Sequence, residues 1–173
     1  GLLALELGLG AGQSFGFVSG FGASTDAVHI TAPDRTGGGL ARAAKAALDS
    51  ASLGPEAIDF VSAHGTGTSF NDAAEAAALR EVFGDDDALR PLHAFKPVVG
   101  HTLGAAGALE ALAALSGLER EVAPAAGGTG TAMPELPAAL LAHNESRSLS
   151  HCLKLSTAFG GANAALVLSR QAA

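Results

Sequence analysis

Hydrophobic and polar positions change period several times along this chain. Residues 13–21 alternate Phe15 and Phe17 between glycines, which predicts a strand with bends or close backbone approaches. Gly22-Ala23-Ser24-Thr25-Asp26 reads as a polar turn, residues 27–32 follow, and Pro33-Asp34-Arg35 with Gly37-Gly38-Gly39 forms a loop. From 40 to 52 the period becomes helical. Leu40, Ala43, Ala44, Ala47, Leu48 and Ala51 share one face, Arg42, Lys45 and Asp49 the other, and Gly54-Pro55 stops the helix. Residues 58–63 predict a short strand running into the glycine-rich loop His64-Gly65-Thr66-Gly67-Thr68. Asp72 and Glu75 form a capping box, opening a helix that carries Ala76, Leu79, Val82 and Phe83 and ends at Gly84.

Asp85-Asp86-Asp87 reads as a solvated loop. Residues 92–99 predict a strand that Pro97 makes irregular, followed by Gly100-His101. A helix of small residues is expected over 103–118, a loop over 122–137, and one or two helical turns over 138–143. Strands at 152–156 and 164–169 flank Thr157-Ala158-Phe159-Gly160-Gly161-Ala162-Asn163, a hairpin bent by its glycines. The order strand–helix–strand–helix–strand–helix–loop–strand–strand predicts α/β layering. With no short repeat and no internal boundary, residues 1–173 read as a single domain.

Composition changes the picture of the core. The chain has 173 residues and net charge −7, enough for one domain that buries a core without disulfides or metals. Of its 48% apolar residues, 39 are Ala, and with 23 Gly these small residues exceed a third of the chain. Such a chain packs backbone close to backbone. The acidic balance argues against nucleic acid, and the absence of Trp and Tyr removes the usual base-stacking platform. The one cysteine, Cys152, leaves no internal disulfide and suits a reducing, cytoplasmic setting. No run reaches the roughly 18 apolar residues of a spanning helix. The apolar opening contains Glu6 and no basic start, unlike a signal peptide. The chain opens on Gly1 and its one Met is Met133, so a processed or trimmed chain, or a piece of a longer polypeptide, is expected.

Three glycine-rich corners hold the chemically interesting side chains: His64 to Thr68, Lys96 to His101, and Phe159-Gly160-Gly161. Each follows a predicted strand, and active sites of α/β folds gather at strand ends. Alone, His64 reads first as a capping or core histidine. His101, two residues before a helix, changes that: the helix N-terminus disfavours its cation, so a neutral imidazole is expected. Two neutral imidazoles on one carbonyl stabilise negative charge developing there. Lys96 supplies positive charge nearby, or is an ordinary surface lysine. Gly8-Leu9-Gly10-Ala11-Gly12 lacks the dinucleotide spacing, and no Gly-Lys-Ser/Thr supports a phosphate cradle. His64, His93 and His101 lack zinc-ligand spacing, so no metal is expected. Cys152, in the alternating run His151-Cys152-Leu153-Lys154-Leu155, reads as a buried structural thiol.

Taken together, Ala63-His64-Gly65-Thr66-Gly67-Thr68 with Asn71-Asp72, Lys96-x-x-x-Gly100-His101-x-x-Gly104-Ala105-Ala106-Gly107, and Phe159-Gly160-Gly161-x-Asn163 resemble the C-terminal motifs of β-ketoacyl synthases, in the family's order. Gly22 to Pro33 resembles the segment preceding them, and the match covers about residues 14–170. The resemblance implies the C-terminal half of a thiolase-like layered α/β/α/β/α fold. It implies that the N-terminal half, which carries the nucleophilic cysteine, lies outside this sequence. It further implies that His64 and His101 bind the malonyl thioester carbonyl and promote loss of carbon dioxide. Lys96 would support the electrostatics of His101, and Thr66 and Thr68 would touch the phosphopantetheine arm. Phe159 would gate the site and lend its N–H to an oxyanion hole, while Gly160 and Gly161 give its loop room to move. The implied partners are the cysteine-bearing half, an acyl carrier protein that brings the substrate on its phosphopantetheine, and a second complete unit in a dimer. No covalently bound cofactor is implied. Three departures stand out: Ser62 where the family often has an acid, Ala94, Phe95 and Pro97 around the lysine, and Thr157-Ala158 before Phe159.

Three readings of function follow. The first is the catalytic C-terminal part of a β-ketoacyl-acyl carrier protein synthase. The second is a non-catalytic, chain-length-factor-like partner subunit, although such partners typically lose the residues retained here. The third is a binding module or decayed fragment.

Overall fold

The computed structural model describes residues 14–84, 90–127 and 136–171. The expected loop at Asp85-Asp86-Asp87, the Gly8–Gly12 run and the middle of the 122–137 loop lie outside the described residues.

A five-stranded mixed sheet organises the chain. β1 (Phe17–Thr25) pairs antiparallel with β7 (Ala162–Ser169), which pairs antiparallel with β6 (His151–Ala158). β6 runs parallel to β2 (Phe60–Ser62), and β2 parallel to β3 (Leu92–His93). The order is β1-β7-β6-β2-β3, and β4 (Val122–Ala123) with β5 (Glu145–Ser146) makes a separate two-stranded ladder.

The period of two along the strands builds two cores. Leu153 and Leu155 of β6, Ala165 and Val167 of β7, and Val61 of β2 meet α1 (Gly38–Ala51) and α2 (Ser69–Phe83) through Leu40, Ala44, Leu79 and Val82. Their neighbours Cys152, Leu168 and Phe60 meet α4 (Ala106–Arg120) through Ala111, Ala114, Leu115 and Leu118. Helices thus cover both faces of the sheet, as the alternating pattern predicts.

Small residues set how close the layers come. A Cβ on Gly22 of β1 would lie 2.1 Å from the Ala43 carbonyl oxygen and 2.6 Å from the Ala47 nitrogen of α1. The backbones of β1 and α1 touch there, as the Ala/Gly content leads one to expect.

Several boundaries differ from the sequence reading. β1 runs over 17–25, not 13–21, because its ladder with β7 continues to the Thr25–Ala162 pair and absorbs the expected polar turn. The 92–99 strand shrinks to Leu92–His93, and Lys96–Val99 form one helical turn, α3. Pro97 sits in its first turn, where a missing N–H and a fixed φ cost nothing. The 103–118 helix opens as a 3-10 turn at Leu103–Ala105 before α4. Residues 138–143 contain no helix; Ala139 bridges to Pro91, donating to the Arg90 carbonyl and accepting the Leu92 N–H.

The capping box is replaced by a longer connection. α2 starts at Ser69, three residues earlier than Asp72, so Glu75 lies inside the helix and is buried. Its Oε1 accepts the His64 N–H at 2.6 Å and its Oε2 the Gly65 N–H at 2.9 Å. A helix side chain therefore clamps the loop that follows β2.

Two substitutions test these contacts. Gly22→Ala is expected to destabilise the protein by roughly 1–3 kcal/mol, read from the urea midpoint, because backbone cannot yield as a side chain can. Glu75→Gln, nearly isosteric, replaces an acceptor by a donor facing a backbone N–H and is expected to cost roughly 1–3 kcal/mol in the same measurement.

Candidate active site

β2 ends at Ser62, and the chain turns through Gly65 (φ +50°) and Gly67 (φ +73°) to Thr68, the N-cap of α2. At Gly65 a side chain is excluded twice over, by its φ and because its Cβ would lie 2.7 Å from the Ala94 Cβ. His64 is therefore pinned at the end of a central strand, buried, with its N–H on Glu75. The Thr66 and Thr68 hydroxyls lie 2.9 Å apart on the exposed side of the loop.

Lys96, the first residue of α3, is buried and points at His64. Its Nζ donates to the His64 carbonyl oxygen and lies 3.2 Å from His64 Nδ1. An ammonium can only donate, so Nδ1 accepts and the ring proton sits on Nε2. Burial, reinforced by Lys96 and Lys154, pushes the His64 pKa down to about 3. His64 is thus neutral at pH 7.

His101 lies beside it, with ring centroids 5.8 Å apart and planes at 85°. The Leu103 N–H donates to His101 Nδ1 at 3.2 Å, which again places the ring proton on Nε2. His101 itself is exposed and stands two residues before the 3-10 turn that leads into α4. Among the described residues Lys96 bonds to His64 and not to His101. α3 turns Lys96 inward beneath the end of β2, so its hydrogen bonds go to His64.

Two buried charged residues beside this pair are absent from the sequence reading. Glu110, buried in the middle of α4, places Oε1 2.6 Å from Lys96 Nζ and Oε2 2.6 Å from Lys154 Nζ. Burial works to raise the Glu110 carboxyl, but the two ammoniums override it and hold it below the usual range. Lys154, on β6, is fully buried; burial lowers its pKa and Glu110 opposes that. A signal existed for both. Glu110 is the one charged residue between 103 and 118, and Lys154 the one between 152 and 156.

The third corner closes the β6–β7 hairpin, with Gly160 at φ +85° and Gly161 at φ +74°. The Gly160 N–H donates to the Ile30 carbonyl (2.6 Å), the Asp26 N–H to the Gly161 carbonyl (2.8 Å), and Asn163 Nδ2 to Asp26 Oδ1 (2.6 Å). Thr157 Oγ1 donates to Asn71 Oδ1 at 3.0 Å, tying this corner to the first turn of α2. Phe159 is 81% exposed, and among the described residues no hydrogen bond or ring contact joins it to either histidine. The structure therefore brings His64, His101 and Lys96 together and leaves Phe159 on the neighbouring turn.

The remaining candidates have structural places. His93 Nδ1 lies 2.7 Å from the Ala125 carbonyl, and burial lowers its pKa. Cys152 is fully buried, and burial pushes its thiol well up, which suits a structural role. Among the described residues no three His, Cys, Asp or Glu side chains gather to hold a metal. None of the described helices is long and apolar enough to cross a membrane.

Comparison with known proteins identifies the family and the fold. Residues 15–129 match the family described as beta-ketoacyl synthase, C-terminal domain. A "Putative polyketide beta-ketoacyl synthase 1" of Streptomyces cyaneus is 36% identical over 153 residues, covering 88% of this chain and 36% of the relative. A "3-oxoacyl-[acyl-carrier-protein] synthase 2" of Coxiella burnetii is 36% identical over 160 residues, covering 88% and 37%. The solved "ishigamide ketosynthase/chain length factor" superposes with a TM-score of 0.85 at 38% identity, over 91% of this chain and 38% of that one. The chain thus spans little more than a third of the length of these relatives, and its fold is that of the thiolase-like ketosynthases. It belongs to the β-ketoacyl synthase family, within which it is a C-terminal domain.

Proposed function

We propose that this chain serves decarboxylative Claisen condensation, joining a malonyl thioester to an acyl thioester in fatty acid or polyketide biosynthesis, together with a cysteine-bearing ketosynthase half. The observation that carries the reading is the pair of adjacent imidazoles, each left with Nε2 as its donor. The acyl group resides on the cysteine of the other half. Malonyl arrives on the phosphopantetheine of an acyl carrier protein, and the chain needs no covalent cofactor of its own. His64 and His101 donate to the thioester carbonyl oxygen. The bond to the carboxylate breaks, carbon dioxide leaves, and the electron pair delocalises onto that oxygen as an enolate. The enolate carbon then attacks the acyl thioester carbonyl, and the cysteine leaves as thiolate. Lys96 holds His64 in its tautomer, Thr66 and Thr68 face the phosphopantetheine arm, and the Phe159-Gly160-Gly161 turn gates the cysteine side and supplies the Phe159 N–H to its oxyanion.

Exposed Val98, Leu103 and Phe159 around the corners support a second half, and a dimer of complete units, covering this surface. The name of the Coxiella relative supports an acyl carrier protein as partner. The buried free thiol of Cys152 supports a cytoplasmic setting. A chain-length-factor-like role is the second reading, supported by the likeness to a solved ketosynthase/chain length factor. The retained array of His64, His101 and Lys96 supports catalysis over it.

His64→Ala and His101→Ala, in the complete protein, are each expected to slow malonyl decarboxylation about 100- to 1,000-fold, as loss of one oxyanion donor does. Self-acylation of the cysteine, followed by mass spectrometry, is expected to change far less, so acyl-enzyme accumulates. Normal carbon dioxide release by both variants would favour the chain-length-factor reading.

The low His64 pKa also makes a stability prediction. The unfolded ring titrates near 6.5 and the folded one near 3, so below pH 6.5 the unfolded chain gains a proton that the folded chain refuses. Stability is therefore lost as pH falls through this window, by about 1.4 kcal/mol per pH unit from this group. In urea unfolding between pH 7 and 5, the parent is expected to lose about 2 kcal/mol more than His64→Gln.

A further inference from the structure

One buried charge has no part in the chemistry above. Lys154 lies on β6, in register with Ser62, the strand residue two before His64. Ser62 brings a hydroxyl and no charge, so the ion-pair partner of Lys154 is Glu110 Oε2 at 2.6 Å. Lys154 Nζ also donates to the Leu155 carbonyl and to Ser156 Oγ at 3.0 Å. The other oxygen of the same carboxylate holds Lys96, and Lys96 holds His64. One carboxylate from α4 is thus pulled from two sides, and its position fixes that of Lys96.

We propose that Lys154 is a positioning residue for His64. By sharing Glu110 with Lys96 it immobilises the carboxylate that keeps the Lys96 ammonium on His64 Nδ1, and it adds a positive charge that keeps the ring neutral. The charged and titratable groups around His64 are Lys96 of α3, Glu110 of α4, Glu75 of α2, Lys154 of β6 and His101. Without Lys154, Glu110 belongs to Lys96 alone. The carboxylate can then draw the ammonium off the ring, and the cluster loses the charge that opposes ring protonation. Lowering of the His64 pKa by both lysines accords with this. The idea rests on the proposed role of His64 for its catalytic consequence, but not for its structural one.

The test uses the complete protein in two measurements. In the first, nitrogen-15 histidine spectra, with His64 assigned by its loss in His64→Gln, report tautomer and titration without any need for activity. The parent is expected to show a single Nε2–H form that stays neutral to pH 5. Lys154→Met is expected to show mixed tautomers and a His64 midpoint displaced upward, and Lys154→Arg, which keeps the charge, to restore the parent pattern. The second measurement compares malonyl decarboxylation with cysteine self-acylation. Lys154→Met is expected to lose on the order of tenfold in the first and little in the second, as when a residue orienting a site group is removed. A residue that only stabilises the fold would lower both steps together and leave the His64 signal in place. Should Lys154→Met not fold, Lys154→Gln removes the charge while keeping a donor for Leu155 and Ser156. Unchanged His64 spectra in a folded variant overturn the proposal, as does failure of both neutral variants to fold. An inactive parent with shifted His64 spectra in Lys154→Met refutes the condensing function and leaves the positioning role standing.

Discussion

The Lys96 ammonium lies where water is excluded, and an isolated charge there costs far more than any single apolar contact returns. Glu110 must therefore be ionised and must be on the face of α4 turned toward the sheet. That condition ties four elements to one point: His64 from the end of β2, Lys96 from α3, Glu110 from α4 and Lys154 from β6. Removing Glu110 would leave two ammoniums buried without a counter-charge, whereas removing either lysine leaves one ion pair, so the carboxylate is the member the arrangement cannot lose. The orientation of His64 is a consequence of this charge balance as much as of its own packing.

The small side chains make that arrangement rigid. With Gly22 of β1 against the backbone of α1, the layers approach at backbone distance, and sliding would drive carbonyls into neighbouring atoms. Glu75 extends the same constraint to the loop, since both its oxygens are taken by the His64 and Gly65 N–H groups. A histidine held through its main chain by one helix and through its ring by a lysine on another has little freedom left. That is the preorganisation which electrostatic stabilisation of a developing oxyanion needs.

Much of this could be read from the chain, for identifiable reasons. Glycines at strand ends mark the three corners, and small-residue helical faces mark α1 and α4. The layered order follows from changes of period. What could not be read was where buried charges go. Glu75 fits a capping box by spacing, yet α2 starts earlier and the carboxylate finds two main-chain donors outside the helix. Lys96 reads as neighbour to His101 five residues on, but the turn of α3 directs it to His64, thirty-two residues away. Glu110 and Lys154 were visible only as lone charges in apolar runs, and their meaning depends on a contact between helix and strand that no local spacing encodes. β1 extends past its apolar pattern because the polar residues of its second half are held extended by pairing with β7 and not by their own preference.

The protonation state of the two histidines bears on the kind of chemistry the corners can support. An imidazolium is the stronger donor, but it would hand its proton to an enolate and quench it before a carbon–carbon bond could form. A neutral imidazole donates from Nε2 and keeps the proton, so the enolate carbon remains a nucleophile. Burying His64 against an ammonium opposes its protonation doubly, through charge repulsion and by occupying Nδ1, where a second proton would have to go. His101, exposed, reaches the same tautomer by another route, through the Leu103 N–H on its Nδ1. Two dissimilar environments thus leave Nε2 as the donor on both rings, one through a buried network of charges and the other through the first N–H of a turn.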